Sequence, residues 1–404
     1  MVISLDMYAS AGVGVAALLL GMFFTRKIPF LKRFCIPAPV SGGLLISLLT
    51  LMLFSLADIE CSFDGTLRDL CMMLFFTSVG FQCDMKELRR GGKPLVVLTA
   101  LVAVLIVAQN LISVGIASGL GLDPLVGMAS GSIPMCGGHG TSGGFSPLLE
   151  QMGLSGASSI TMAAATFGLV AGSLLGGPLG ESLIRRHKLD GQPSASDAPS
   201  CGEEFPAAGP NPVKAGTPGG YLAAACILFV AMALGSGVSK LLALTGVTFP
   251  TYFGSLLTAC ALRNILGLVP AWSGKLFVGE VFSLGDISLQ LFLGMAMASL
   301  RLWELASLAL PLTLILAAQV AFMAFYGYFV AFPMLGKNYD SAVMVSGLCG
   351  FGLGATPNAM ANMSAVCFKY RYAVNPFIVV PIIGAMFLDI INTGVITLFL
   401  NIIH

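Results

Sequence analysis

The chain has 404 residues, 56% of them hydrophobic and 10% charged, with a mean hydropathy of +0.92. That is too little charge to cover a soluble protein of this length, so the composition excludes a water-soluble enzyme or binding module and predicts an all-α polytopic membrane protein. The net charge of +1 is spread along the chain and leaves no basic stripe for nucleic acid.

Apolar blocks of about 20 residues, the length that crosses a bilayer, predict spans at 8–25, 38–57, 67–83, 94–118 and 158–180. The first has no basic stretch ahead of it and reads as a span rather than a cleaved leader. Residues 185–219 carry a Pro-, Gly- and Ser-rich segment, "GQPSASDAPSCGEEFPAAGPNPVKAGTPGG", that predicts a cytoplasmic linker. Five more spans follow at 220–236, 250–268, 281–299, 305–333 and 376–400. The chain thus divides into an N-terminal repeat, 1–184, and a C-terminal repeat, 220–404.

With both termini outside an inner membrane, 17 lysines and arginines fall inside and only Arg68, Lys240 and Arg301 outside. This positive-inside asymmetry holds only if residues of about 125–150 and 341–367 do not cross. Each is therefore expected to enter and return on one side, the first from outside and the second from inside. Arms of about ten residues, rising about 1.5 Å each, bring such a re-entrant hairpin to the bilayer midplane. Backbone without regular structure is tolerated there only inside protein or beside an aqueous cavity.

The two parts echo one another. Pro39 and Gly43 are answered by Pro250 and Gly254, Thr141 by Thr356, and Gln109 by Gln319, at offsets of 210 to 215. Five spans plus one hairpin is an odd number of crossings, so the second part is inserted upside down: an inverted-topology repeat of five transmembrane helices plus one re-entrant hairpin per half. Inverted repeats with interrupted segments meeting at the midplane are the architecture of secondary transporters. Spans 1, 2, 6 and 7 adjoin no hairpin and are the expected scaffold.

The hairpin tips supply the candidate substrate site. Glycines 137, 138, 140, 143 and 144 in the first, and 350, 352 and 354 in the second, remove side chains and allow positive φ, so that backbone N–H groups can converge on a ligand. The start of each returning helix adds a positive dipole end suited to a carboxylate. His139, Thr141 and Ser142, with Ala355, Thr356, Pro357 and Asn358, complete the set Gly137, Gly138, His139, Gly140, Thr141, Ser142, Gly352, Gly354, Ala355, Thr356, Pro357 and Asn358. His139 has two readings of equal weight, a substrate contact or a neutral histidine holding the tip to a neighbouring helix. Asp389 lies mid-span with Asn392 one turn later, and an intramembrane carboxylate is expensive enough to predict a cation or proton there. Thr166 is a further candidate ligand, and sodium is the expected coupling ion. Helix packing by small residues is the competing explanation for many of the glycines.

Other chemistries lack their residues. The histidines are His139, His187 and His404, without an HExxH pair, and no GxxxxGK[ST] cradle for a nucleotide occurs. The ten cysteines have no paired spacing and read as small buried side chains.

Six segments, "GSIPMCGGHGTSGG" (131–144), "ATFGLVAGSLLGGP" (165–178), "LWELASLALP" (302–311), "GKNYDSAV" (336–343), "CGFGLGATPNAMANM" (349–363) and "DIIN" (389–392), resemble the sodium/glutamate symporter family, in that family's order. The resemblance covers essentially the whole chain. It implies a ten-span inverted repeat with substrate between the hairpin tips, sodium-coupled uptake of glutamate, a homodimer, and a core that slides against a scaffold in alternating access. A sodium- or proton-coupled carrier of citrate or another dicarboxylate on the same scaffold is the alternative.

Overall fold

The computed structural model describes residues 2–34, 36–84, 92–189, 217–244, 249–268 and 276–403. Most of the expected linker, 190–216, lies outside these residues, as do Lys86, Arg89, Arg90, Lys214 and Lys275 of the charge count.

In chain order the principal helices are α1 (Met7–Lys27), α2 (Ala38–Ala57), α3 (Thr66–Gln82), α4 (Gly92–Gly119), α5 (Pro124–Ala129), α6 (Ser132–Met135), α7 (Gly138–Gln151) and α8 (Ala157–Arg186). Then follow α9 (Pro218–Ala243), α10 (Phe253–Leu268), α11 (Val278–Ala298), α12 (Ala309–Phe325), α13 (Tyr339–Gly352), α14 (Thr356–Lys369), α15 (Val374–Ile382) and α16 (Leu388–Ile403). Among the described residues, the exception to an all-α chain is one pair of four-residue strands, β1 (Val2–Leu5) and β2 (Glu60–Phe63), which run parallel with Val2 opposite Glu60. Among the described residues, seven helical stretches are long and apolar enough to cross a membrane: α1, α2, α4, α8, α9, α11 and Ala309–Met334. The shorter α10 and α16 are also apolar.

Local sequence sets the helix ends. Asp6 caps α1 by accepting from Ala9 N at 2.8 Å, and Thr217 caps α9 with Pro218 in its first turn. Asn338 and Ser341 form a capping box at the start of α13. Prolines mark the irregular spans: Pro381 precedes a π turn at Ile383–Phe387, so the last span is α15, π turn and α16 in sequence.

The helices pack in two groups. α1 packs on α2, and α9 on α10, while α11 packs against α1 and α2 and α3 against α9 and α10. α3 and α11 also contact each other, so the helices of spans 1, 2, 6 and 7 pack in one group with those of the third and eighth. The second group is built around α8, which touches α7, α12, α13 and α14. Glycine lets it do so: a Cβ at Gly168 would overlap the Leu353 carbonyl, and one at Gly176 the Asn362 side chain. Long-range ion pairs sit near span ends, joining Arg301 to Glu60 at 3.1 Å, Arg263 to Asp84 at 2.9 Å, and Lys369 to Glu181 at 2.6 Å.

Candidate functional site

The first hairpin's entering arm is broken into α5 and α6. Pro134 has no N–H to offer the Ser130 carbonyl one turn back, and Gly131 turns the chain there at ψ −136. Side chains of two other helices bond the backbone next to this break. Asn110 of α4 accepts from Ser132 N at 2.9 Å, and Asn392 of α16 donates to Ser132 O at 3.1 Å. Such side-chain rescue is what irregular backbone at membrane depth requires. The returning arm α7 starts at Gly138, where φ is +59, and its first three backbone N–H groups have no partner within the helix.

The second hairpin, α13 and α14, turns at residues 353–355. The two tips touch: a Cβ on Gly138 would lie 2.9 Å from Gly354 O. Gln109 of α4 locks this junction, donating to Gly352 O at 2.8 Å while its own carbonyl oxygen faces the Cys136 thiol at 3.1 Å. Gln319 of α12 in turn donates to Gln109 O at 2.8 Å. Gln109 and Gln319 are thus joined beside the tips.

The remaining candidates separate into groups. His139 Nε2 is 3.0 Å from Thr166 Oγ1, which lies 2.9 Å from Met162 O within α8. If the threonine donates to its own helix, it accepts from a protonated Nε2, and the contact ties the tip to α8. Ser142 reaches Thr161 O of the same helix at 3.4 Å, and Asn358 donates to Leu169 O at 2.8 Å. Both hairpins are therefore fastened to α8. Thr166 joins His139, whereas Thr141 faces the Asp389 carboxyl. Asn392, one turn on, uses its amide nitrogen on Ser132 and keeps its oxygen free.

Among the described residues, half of the ten buried side-chain oxygens without a hydrogen-bond partner are Thr141 Oγ1, Ser132 Oγ, Asn392 Oδ1, Asn358 Oδ1 and Gln319 Oε1, the others being on Ser173, Ser255, Tyr328, Ser346 and Thr397. Unpaired buried oxygens cost free energy, and a hard cation or ligand donors would satisfy them. Among the described residues no lysine or arginine is buried, so no cationic side chain there answers an acid. Thr356 Oγ1 packs where a Cβ on Gly384 would come within 2.5 Å, so its hydroxyl lies against the last span. Pro357 has no N–H, which leaves fewer amide donors at the start of α14 than at the start of α7.

The expectation of positive φ holds at one of the eight tip glycines, Gly138. The others meet close neighbours instead. A Cβ on Gly143 would overlap Phe292, one on Gly144 would sit 2.5 Å from the Tyr252 ring, and one on Gly350 would overlap the Ala359 backbone. Tyr252 and Phe292 carry no polar-in-apolar signature, and sequence reading missed them for that reason. A cavity of about 430 Å³, lined among others by Arg68, Gly143, Ser146, Glu150, Phe292 and Arg301, runs between α11 and α7. Its floor at Gly143 is five residues from Gly138, about 7.5 Å along the helix. Among the described residues no group of three or more His, Cys, Asp or Glu side chains is placed to hold a metal.

The family model described as "Sodium/glutamate symporter" matches residues 3–372. The chain is 41% identical over 398 residues to the sodium/glutamate symporter of Escherichia coli (strain K12), covering 98% of each chain. It is 36% identical over 388 residues to the sodium/glutamate symporter of Haemophilus influenzae, covering 96% of this chain and 95% of that one. A solved structure, the sodium proton antiporter MjNhaP1 from Methanocaldococcus jannaschii at pH 8, aligns over 99% of this chain and 98% of its own, at a TM-score of 0.45 and 15% identity. That likeness is too distant to bear on fold or function.

Proposed function

The chain belongs to the sodium/glutamate symporter family, and from that premise we propose that it moves glutamate into the cell together with sodium, holding the substrate between its two hairpin tips. The family is one of transporters, not enzymes. The observation that carries the site is the junction of Gly138 and Gly354, with unpartnered buried oxygens on Thr141 and Asn358, three and four residues further along the two chains. Free N–H groups at the start of α7 are suited to the substrate's carboxylates, at the positive end of that helix. Gly137, His139, Gly140, Ser142, Gly352, Ala355 and Asn358 are the tip residues assigned to the substrate, together with the hydroxyl of Thr141, while Thr356 turns its own toward the last span.

Sodium is assigned to Asp389, Asn392 Oδ1 and Thr141 Oγ1, an all-oxygen set with one negative charge. Hard cations prefer oxygen, and a carboxylate at membrane depth needs a counter-charge. Thr166 contributes indirectly, through His139. With no buried basic side chain among the described residues to neutralise an acidic substrate, the cation supplies that charge, so sodium and substrate bind cooperatively.

The inverted repeat, 1–184 and 220–404 about a linker at 185–219, is supported by packing: the third helix of each half is exchanged onto the first two of the other. Three contacts support the sidedness, with both termini outside an inner membrane. Arg301 pairs with Glu60, both on the expected outer side. Arg263–Asp84 and Lys369–Glu181 lie on the expected inner side. β1 and β2 flank two spans and lie side by side, as an even number of crossings requires. The two helix groups supply a scaffold and a core that slides on it in an elevator-type cycle, with a homodimer as the working assembly. Calorimetric titration of the purified protein tests the site. Glutamate should bind in sodium and fail to bind in potassium, and binding equal in both would refute the coupled site.

A further inference from the structure

One aromatic side chain of the scaffold reaches into the core beside the carboxylate. Tyr252, next to the start of α10, is fully buried. Its ring stacks on Phe76 of α3, with centroids 3.7 Å apart and planes 10° apart, and meets Phe145 of α7 edge-on at 6.1 Å. Gly144 makes room for it. Its hydroxyl lies 3.5 Å from Thr393 Oγ1 on α16. Thr393 is buried, follows Asn392, and is four residues from Asp389, on the same helical face.

A threonine hydroxyl has one proton and two lone pairs. Near a carboxylate its proton turns toward that carboxylate and competes with a cation, unless another acceptor takes it. Either hydroxyl can donate across the 3.5 Å, and in the arrangement argued here Tyr252 accepts. We propose that Tyr252 is a positioning residue for cation binding: by accepting the Thr393 proton it turns the threonine's lone pairs toward the cation site at Asp389 and Asn392. The idea rests on the sodium site assigned above and adds a link between cation and conformation. Tyr252 belongs to the scaffold and Thr393 to the core, so the tyrosine orients the threonine only while the core holds this position. Sodium then binds more tightly in this arrangement than in one that separates them. By linkage, sodium favours this arrangement by the same factor.

Tyr252→Phe removes the hydroxyl and keeps the ring that fits Phe76 and Gly144. In proteoliposomes the half-saturating sodium concentration for glutamate uptake should rise about threefold to tenfold, the worth of one hydrogen bond, with the loss falling there rather than on Vmax. Thr393→Val should raise it at least as far, and the double variant should be no worse than Thr393→Val, because the tyrosine acts through the threonine. A second readout needs no transport: the sodium-induced rise in Tm of the detergent-purified protein should shift its half-saturation by the same factor. Half-saturation of Tyr252→Phe equal to that of wild type in both assays overturns the proposal. Additive effects in the double variant also overturn it. Wild type that ignores sodium in both assays would sink the symporter reading itself, an outcome distinct from a silent Tyr252→Phe.

Discussion

Gly138→Ala tests the tip junction most sharply. At φ +59 an alanine is in the left-handed region, at a cost of about 1–2 kcal/mol. Its Cβ would also lie 2.9 Å from the Gly354 carbonyl oxygen, closer than an ordinary contact of about 3.5 Å, so the tips must part by roughly 0.5 Å. Together these give about 2 kcal/mol, roughly a thirtyfold loss in any equilibrium that needs the tips closed. The assay is glutamate affinity and initial uptake rate at saturating sodium, normalised to folded protein by gel filtration. Gly177→Ala is the control, since a Cβ there meets nothing within 4 Å. Equal affinity and rate in the two variants would refute the argument that the tips must touch for substrate to be held.

Two further perturbations follow from the same packing. Gly168→Ala puts a methyl group against the Leu353 carbonyl, backbone that cannot turn aside, so a loss of about 1–3 kcal/mol in thermal or denaturant stability is expected, with weakened substrate binding because the second tip moves. Gln109→Leu strips Gly352 O of its 2.8 Å donor and should lower Tm by about 1–3 °C, from roughly 1–3 kcal/mol of lost hydrogen bonding, and an unchanged Tm would show that the glutamine does not lock the tips.

Much of this fold is legible in the sequence because bilayer thickness and charge asymmetry act on whole segments. The expected span at 94–118 is the helix Gly92–Gly119, and that at 38–57 is Ala38–Ala57. The hairpins are visible as glycine and proline inside apolar sequence, and Gln109 and Gln319 as polar residues within spans. What the pattern cannot supply is which neighbour a small residue meets. Gly138 is glycine for its backbone angle, whereas Gly143 and Gly144 are glycine because Phe292 and Tyr252 fill their Cβ positions. Those aromatics lie 100 or more residues away in sequence and look like any other apolar side chain. Likewise, Asn392 reads as a ligand, but half of its amide bonds Ser132 O beside the chain break at Gly131, a contact apparent only in three dimensions. Thr166 reads as a sodium ligand and is found bonded to His139.

Sodium held at Asp389 is proposed to carry glutamate inward. Uptake of labelled L-glutamate into proteoliposomes, with an inward sodium gradient or an equal potassium gradient, tests it for wild type and Asp389→Asn. Accumulation is expected in wild type with sodium alone, and its loss in the variant, which keeps its fold because the substitution is isosteric. Sodium-driven accumulation that survives in Asp389→Asn would contradict the cation site, and wild-type uptake indifferent to sodium would contradict the coupling.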